Sequence, residues 1–139
     1  MKLSTRGKYG LYAMIFLAQR HGEGPQSLKA FSELNLPEAY LEQLLGSLRR
    51  AELVNAVRGA QGGYLLSREP EEITLRNIVE AMEGPISFSE CVSSPESACA
   101  RSGDCPAKGV WEYLTGEVNS LLEKITLRDM VDQNLHHTI

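Results

Sequence analysis

From Tyr9 to Ala18 apolar side chains fall at Tyr9, Leu11, Tyr12, Met14, Ile15, Leu17 and Ala18, a broad helical stripe that ends near His21-Gly22. The spacing predicts a long, mostly buried first helix. Gly22 to Pro25 reads as a turn, Ser27 as an N-cap, and Leu28 to Leu34 as a short second helix. Pro37 suits the first position of a third helix running to about Glu52. Two helices separated by so few residues have the layout of a helix-turn-helix.

Beyond the third helix the period changes. Leu53 to Arg58 and Tyr64 to Ser67 are short β-prone runs around Gly59, Gly62 and Gly63, which predicts a hairpin. Thr74 can cap a helix reaching Met82, and Gly84-Pro85 stops it. Residues 85–105 are rich in Ser, Pro and Gly, lack periodicity and hold all three cysteines. Pro106 then opens a helix to about Ile125, with Val110, Trp111, Leu114, Val118, Leu121, Leu122 and Ile125 along one side. That is more apolar surface than a small domain covers, so the stripe predicts a two-fold dimer seam, with packing in cis on the first helix as the other use. Thr126 to Asp129 resembles a capping box that starts a last short helix.

The expected fold is mainly α with a small β-hairpin wing: a winged helix-turn-helix with a long C-terminal dimerisation helix. Its expected division is a DNA-binding domain over residues 1–83, a cysteine-containing loop over 84–105, and the dimerisation helix and tail over 106–139.

Composition adds three points. With 139 residues, 42% of them hydrophobic, the chain can bury one modest core. No run of about 18 apolar residues occurs, and the first eight residues are too polar for a signal segment, so a cytoplasmic protein without a membrane partner is expected. The net charge of −4 hides a division. Residues 1–68 hold 9 Lys+Arg against 5 Asp+Glu, or +4, and residues 69–139 hold 5 against 13, or −8. A basic N-terminal half can meet phosphates while the acidic half faces elsewhere.

On the third helix Leu41, Leu44, Leu45 and Leu48 must face the core, which turns Ala39, Glu42, Gln43, Gly46 and Arg50 outward. Gln pairs with adenine, Glu accepts from cytosine N4, and Arg49 or Arg50 can reach phosphate or guanine, whereas Ala39 and Gly46 let the helix sit close to a groove. An ordinary solvated face has the same pattern. Arg58 stands at the base of the glycine loop, where it can enter a narrow minor groove. A nucleotide cradle is disfavoured there, because no Lys-Ser/Thr pair follows and the loop opens a strand.

Cys91, Cys99 and Cys105 form an odd set spaced C-x7-C-x5-C, so a closed set of internal disulfides that pairs every cysteine is impossible. Zinc sites bring C-x2-C pairs, which are absent, whereas soft thiolates on one loop suit iron-sulfur chemistry. Three plain surface thiols fit the spacing as well. No nucleophile–base constellation can be built from His21, His136 and His137, so an enzyme is not expected.

Four stretches carry a family resemblance: Gly7-Lys8-Tyr9-Gly10, Tyr40-Leu41-Glu42-Gln43-Leu44, Arg58 to Leu66, and Ile125-Thr126-Leu127. From Met1 to about Val131 the chain resembles the IscR/NsrR/CymR (Rrf-two) family of bacterial winged-helix regulators, and most of all its IscR-type members. The resemblance implies a homodimeric DNA-binding repressor of iron-sulfur biogenesis genes, with cluster-assembly proteins as further partners. It implies base reading by Glu42 and Gln43, groove insertion by Arg58, and DNA contacts that include Ala39, Arg49, Arg50, Gly62 and Tyr9. It also implies an iron-sulfur cluster, 2Fe-2S ahead of 4Fe-4S, on Cys91, Cys99 and Cys105.

Two features depart from the IscR pattern. Lys108 stands where a histidine ligand is expected, and the gap between the first two cysteines is about two residues longer. Asp104, Glu90 or a group from the partner subunit's first helix are the candidate fourth ligands. CymR-like relatives lack the cysteines and act through a partner protein. The alternative is therefore a thiol-redox, nitric-oxide or cysteine-metabolism regulator of the same fold, without the same cluster.

Overall fold

The computed structural model describes residues 3–87 and 106–133. Helix α1, Thr5–Gln19, starts four residues before the apolar stripe, because the Ser4 side chain caps it by accepting from the Gly7 N–H at 3.0 Å. Leu28–Leu34 is a 3-10 helix rather than an α-helix, held by Phe31, whose buried ring stacks on Phe16 at 4.4 Å. It ends at Asn35, one of the few residue types that adopt the left-handed conformation readily (φ 54°). Helix α2, Glu38–Arg50, follows Pro37, which takes the N-cap position with ψ 138° instead of the first helical one. The ring fixes φ alone, so proline fits either place.

Strands β1, Val54–Val57, and β2, Gly63–Leu66, pair antiparallel with Val54 opposite Leu66 and Val57 opposite Gly63. Gln26 adds a third edge, exchanging two 2.8 Å backbone hydrogen bonds with Tyr64. Gly63 permits this approach. Its φ is +152°, and a Cβ there would stand 2.3 Å from the Gln26 carbonyl oxygen.

Helix α3, Leu75–Glu83, begins at Thr74 in a capping box completed by Asn77. Helix α4, Lys108–Lys124, starts two residues after Pro106, which lies in a turn. Helix α5, Leu127–Asp132, begins at Thr126 in a second capping box, closed by Asp129. The two caps are joined, since the Leu75 N–H donates to Ile125 O and the Leu127 N–H donates to Ile73 O, both at 2.8 Å. This bridge fastens the far end of α4 to the winged-helix body, and Leu127 enters the core fully buried.

One cluster forms that core, from Ala13, Met14, Phe16 and Leu17 of α1, Leu41, Leu44, Leu45 and Leu48 of α2, Ile73, Ile78, Met82 and Leu127. Gly7 and Gly10 let α3 lie directly on α1: a Cβ on Gly10 would stand 2.3 Å from Met82 Sδ, and one on Gly7 2.4 Å from Glu83 Oε1. The Gly-Lys-Tyr-Gly motif thus has a packing role. Helix α4 packs on α3 alone among its larger contacts and buries none of its side chains fully. Among the described residues, no helix is long and apolar enough to cross a membrane.

Candidate DNA interface

Helix α2 is amphipathic as its spacing requires. The four leucines are buried, and Ala39, Glu42, Gln43, Arg49 and Arg50 are exposed. Gly46 is half-buried, and the nearest atom a Cβ there would meet is Arg50 Nη1 at 3.6 Å, so the middle of the exposed strip stays shallow. A helix of this kind can lie deep in a major groove with carboxamide, carboxylate and guanidinium groups on its surface.

Tyr9 of α1 stands edge-on to Tyr40 at 6.3 Å and to Tyr12 at 5.7 Å, so it lies along one border of α2, half-buried. Arg58 is exposed where β1 runs into the wing loop. The loop closes on the Gly62 N–H, which donates to Gly59 O at 3.0 Å. A Cβ on Gly62 would lie 2.1 Å from Val57 O and 2.9 Å from the Arg58 carbonyl carbon, both backbone atoms that no side-chain motion can clear. Gly62 shapes the loop that presents Arg58.

Arg6 and Ser47 join this surface without having been singled out from the sequence. Arg6 reaches from the first turn of α1 to donate to Ser47 Oγ on α2, and its second nitrogen donates to Met82 O at 2.7 Å. Arg50 donates to the same Ser47 Oγ at 3.1 Å. Arg6 and Ser47 are 41 residues apart in the sequence, and the meeting of α1 and α2 is what brings them together.

Among the described residues Arg6, Lys8, Arg49, Arg50 and Arg58 form no ion pair, whereas Arg20, Arg76, Lys108 and Arg128 pair with Glu33, Glu80 and Glu123, Glu112, and Glu71. The hydrogen bond that Arg76 donates to Glu80 raises the pKa of its guanidinium above the ordinary value, and the bond that Arg128 donates to Glu71 does the same there. Among the described residues the unpaired cations include those beside the exposed face of α2 and on the wing, and Lys29, Arg68 and Lys124 are unpaired elsewhere.

Cys91, Cys99, Cys105, Glu90 and Asp104 lie outside the described residues. Lys108 lies inside them, with its ammonium 3.9 Å from Glu112 Oε1.

Three helical segments leading to a two-stranded wing, with an unpaired basic surface on the second α-helix, define a winged-helix DNA-binding protein. Residues 3–133 match the Rrf2 family, described as iron-dependent transcriptional regulators. The chain is 45% identical to the HTH-type transcriptional regulator CymR of Bacillus subtilis over 131 residues, 94% of this chain and 89% of that one. The solved structure of CymR, the global cysteine regulator of B. subtilis, superposes with a TM-score of 0.78 at 43% identity, covering 96% of this chain and 98% of that one. IscR of T. potens gives a TM-score of 0.74 at 43% identity, over 96% and 88%. The protein belongs to the Rrf2 family of DNA-binding transcriptional regulators.

Proposed function

We propose that the protein is a homodimeric repressor of genes for cysteine and sulfur metabolism. In this reading α2 enters the major groove, with Gln43 and Glu42 reading base edges, and Arg58 enters the flanking minor groove. Ala39 keeps the helix close, Arg49 and Arg50 meet phosphates, and Tyr9 borders the contact. The observation that carries the proposal is the likeness to CymR along nearly the whole chain. It replaces the iron-sulfur biogenesis role as the leading reading. The test is to delete the gene and measure transcripts with cystine plentiful and scarce. Sulfur-uptake and cysteine-synthesis transcripts should stay high in both conditions, and unchanged levels would contradict the proposal.

A second reading has its own support: three cysteines in one segment and the likeness to T. potens IscR. Cys91, Cys99 and Cys105 would supply three soft thiolates to an iron-sulfur cluster, 2Fe-2S ahead of 4Fe-4S. Lys108 is no fourth donor, because an ammonium has no lone pair to give and here lies beside Glu112. Such a cluster, when bound, makes occupancy depend on iron, sulfide and oxidant supply. Protein purified without oxygen separates the readings: visible absorbance lost in each Cys→Ala variant supports the cluster, and colourless, iron-free protein refutes it.

A further inference from the structure

Arg6 and Arg50 approach the Ser47 hydroxyl from different helices, and each donates a hydrogen bond to it. The two guanidiniums therefore stand within about 6 Å of each other, twice the reach of a hydrogen bond. Like charges at such separation repel, and among the described residues no carboxylate pairs with either. Ser47 is 6% exposed and sits between them, so its oxygen orients both groups while their remaining N–H donors stay available. Met82 O, at the C-terminal end of α3, fixes the second nitrogen of Arg6 and favours a cation there. At 100° per residue Ser47 lies on the same border of α2 as Gln43, so the pair flanks the reading strip.

We propose that Arg6 and Arg50, oriented by Ser47, form one phosphate-binding pair at the seam of α1 and α2 that grips the DNA backbone beside the bases met by Gln43. The ligand chemistry is a tetrahedral phosphodiester oxyanion, which two forked donors can clasp from both sides. The inference rests on the reading that α2 enters the groove. Arg50 alone would suit any winged helix; the added element is Arg6, a residue of the first helix that acts on DNA through its hold on the second. Because Arg6 also holds the end of α3, the pair joins the recognition helix to the helix that leads toward the cysteine segment.

The test uses the full chain and two duplexes, an operator selected from random pools and an unrelated sequence, titrated across a range of KCl concentrations. Arg6→Ala should weaken binding to both roughly tenfold at low salt, as loss of hydrogen bonds to a charged group does. It should also lower the slope of log affinity against log salt by about 1 per subunit. Ser47→Ala, which keeps both charges, should weaken binding a few-fold with the slope unchanged. Ethylation of one backbone phosphate per half-site should block the wild type and cost Arg6→Ala little. Thermal melting checks the fold, and the ethylation pattern keeps the test informative if Arg6→Ala melts early. Wild-type binding with an unchanged Arg6→Ala slope and ethylation pattern would sink the pair alone. A wild type that prefers neither duplex would sink the groove reading together with the pair.

Discussion

Gln43 and Gly62 belong to the proposed DNA surface by different physics. Gln43 is exposed on α2, with a carboxamide able to donate to and accept from one adenine edge, so its worth depends on sequence. Gln43→Ala should cost about 1–3 kcal/mol on a selected operator and much less on random DNA, measured by fluorescence anisotropy; equal losses would remove it as a reader. Gly62 touches function through backbone shape, since even a methyl group would collide with Val57 O. The outward placement of Ala39, Glu42, Gln43 and Arg50 was legible, because leucine spacing alone orients a helix. The convergence of Arg6 on Ser47 was not. A contact between two helices depends on how they cross, and periodicity within each says nothing of that.

Among the elements, α3 and α5 are bound by one device. Thr74 and Thr126 each cap a helix, and the backbones beside them exchange hydrogen bonds, so the start of α5 is pinned to the start of α3. Thr126→Ala should lower stability by about 1 kcal/mol, read as a drop in the urea midpoint with an unchanged slope, and an unaltered midpoint would show the cap to be idle. The cap at Thr74 and the capping box at Thr126 could be read from the residues, as could the hairpin, because their signals are local; the part Asn77 plays in the first box emerges only from the structure. The start of α1 could not, since Thr5, Arg6 and Lys8 are polar and the cap that extends the helix lies before its apolar stripe. Pro37 was one place off for a related reason: its ring dictates φ and leaves ψ to the chain. The second helix turned out 3-10, its seven residues anchored mainly through Phe31.

For the whole molecule, α4 decides what a single chain leaves unfinished. Tyr113 is 67% exposed, Val110 53% and Leu121 48%, on a helix that ends where it is tied to the DNA-binding body. A second copy is the proposed cover, and two reading helices about 34–36 Å apart would then meet successive turns of one duplex face. Tyr113→Glu combined with Leu121→Glu should turn a dimer into a monomer by sedimentation and weaken operator binding, because each half-site would bind alone. A variant that stays dimeric would place the seam elsewhere. The excess of apolar surface on α4 was visible in its spacing, but what covers it is a property of two chains. The most direct measurement is selection of sheared genomic DNA with the purified protein. The predicted result is a small set of promoter fragments beside cysteine and sulfur-metabolism genes, sharing a two-fold symmetric site. Uniform recovery of fragments, or a shared site in promoters unrelated to sulfur, would contradict the account.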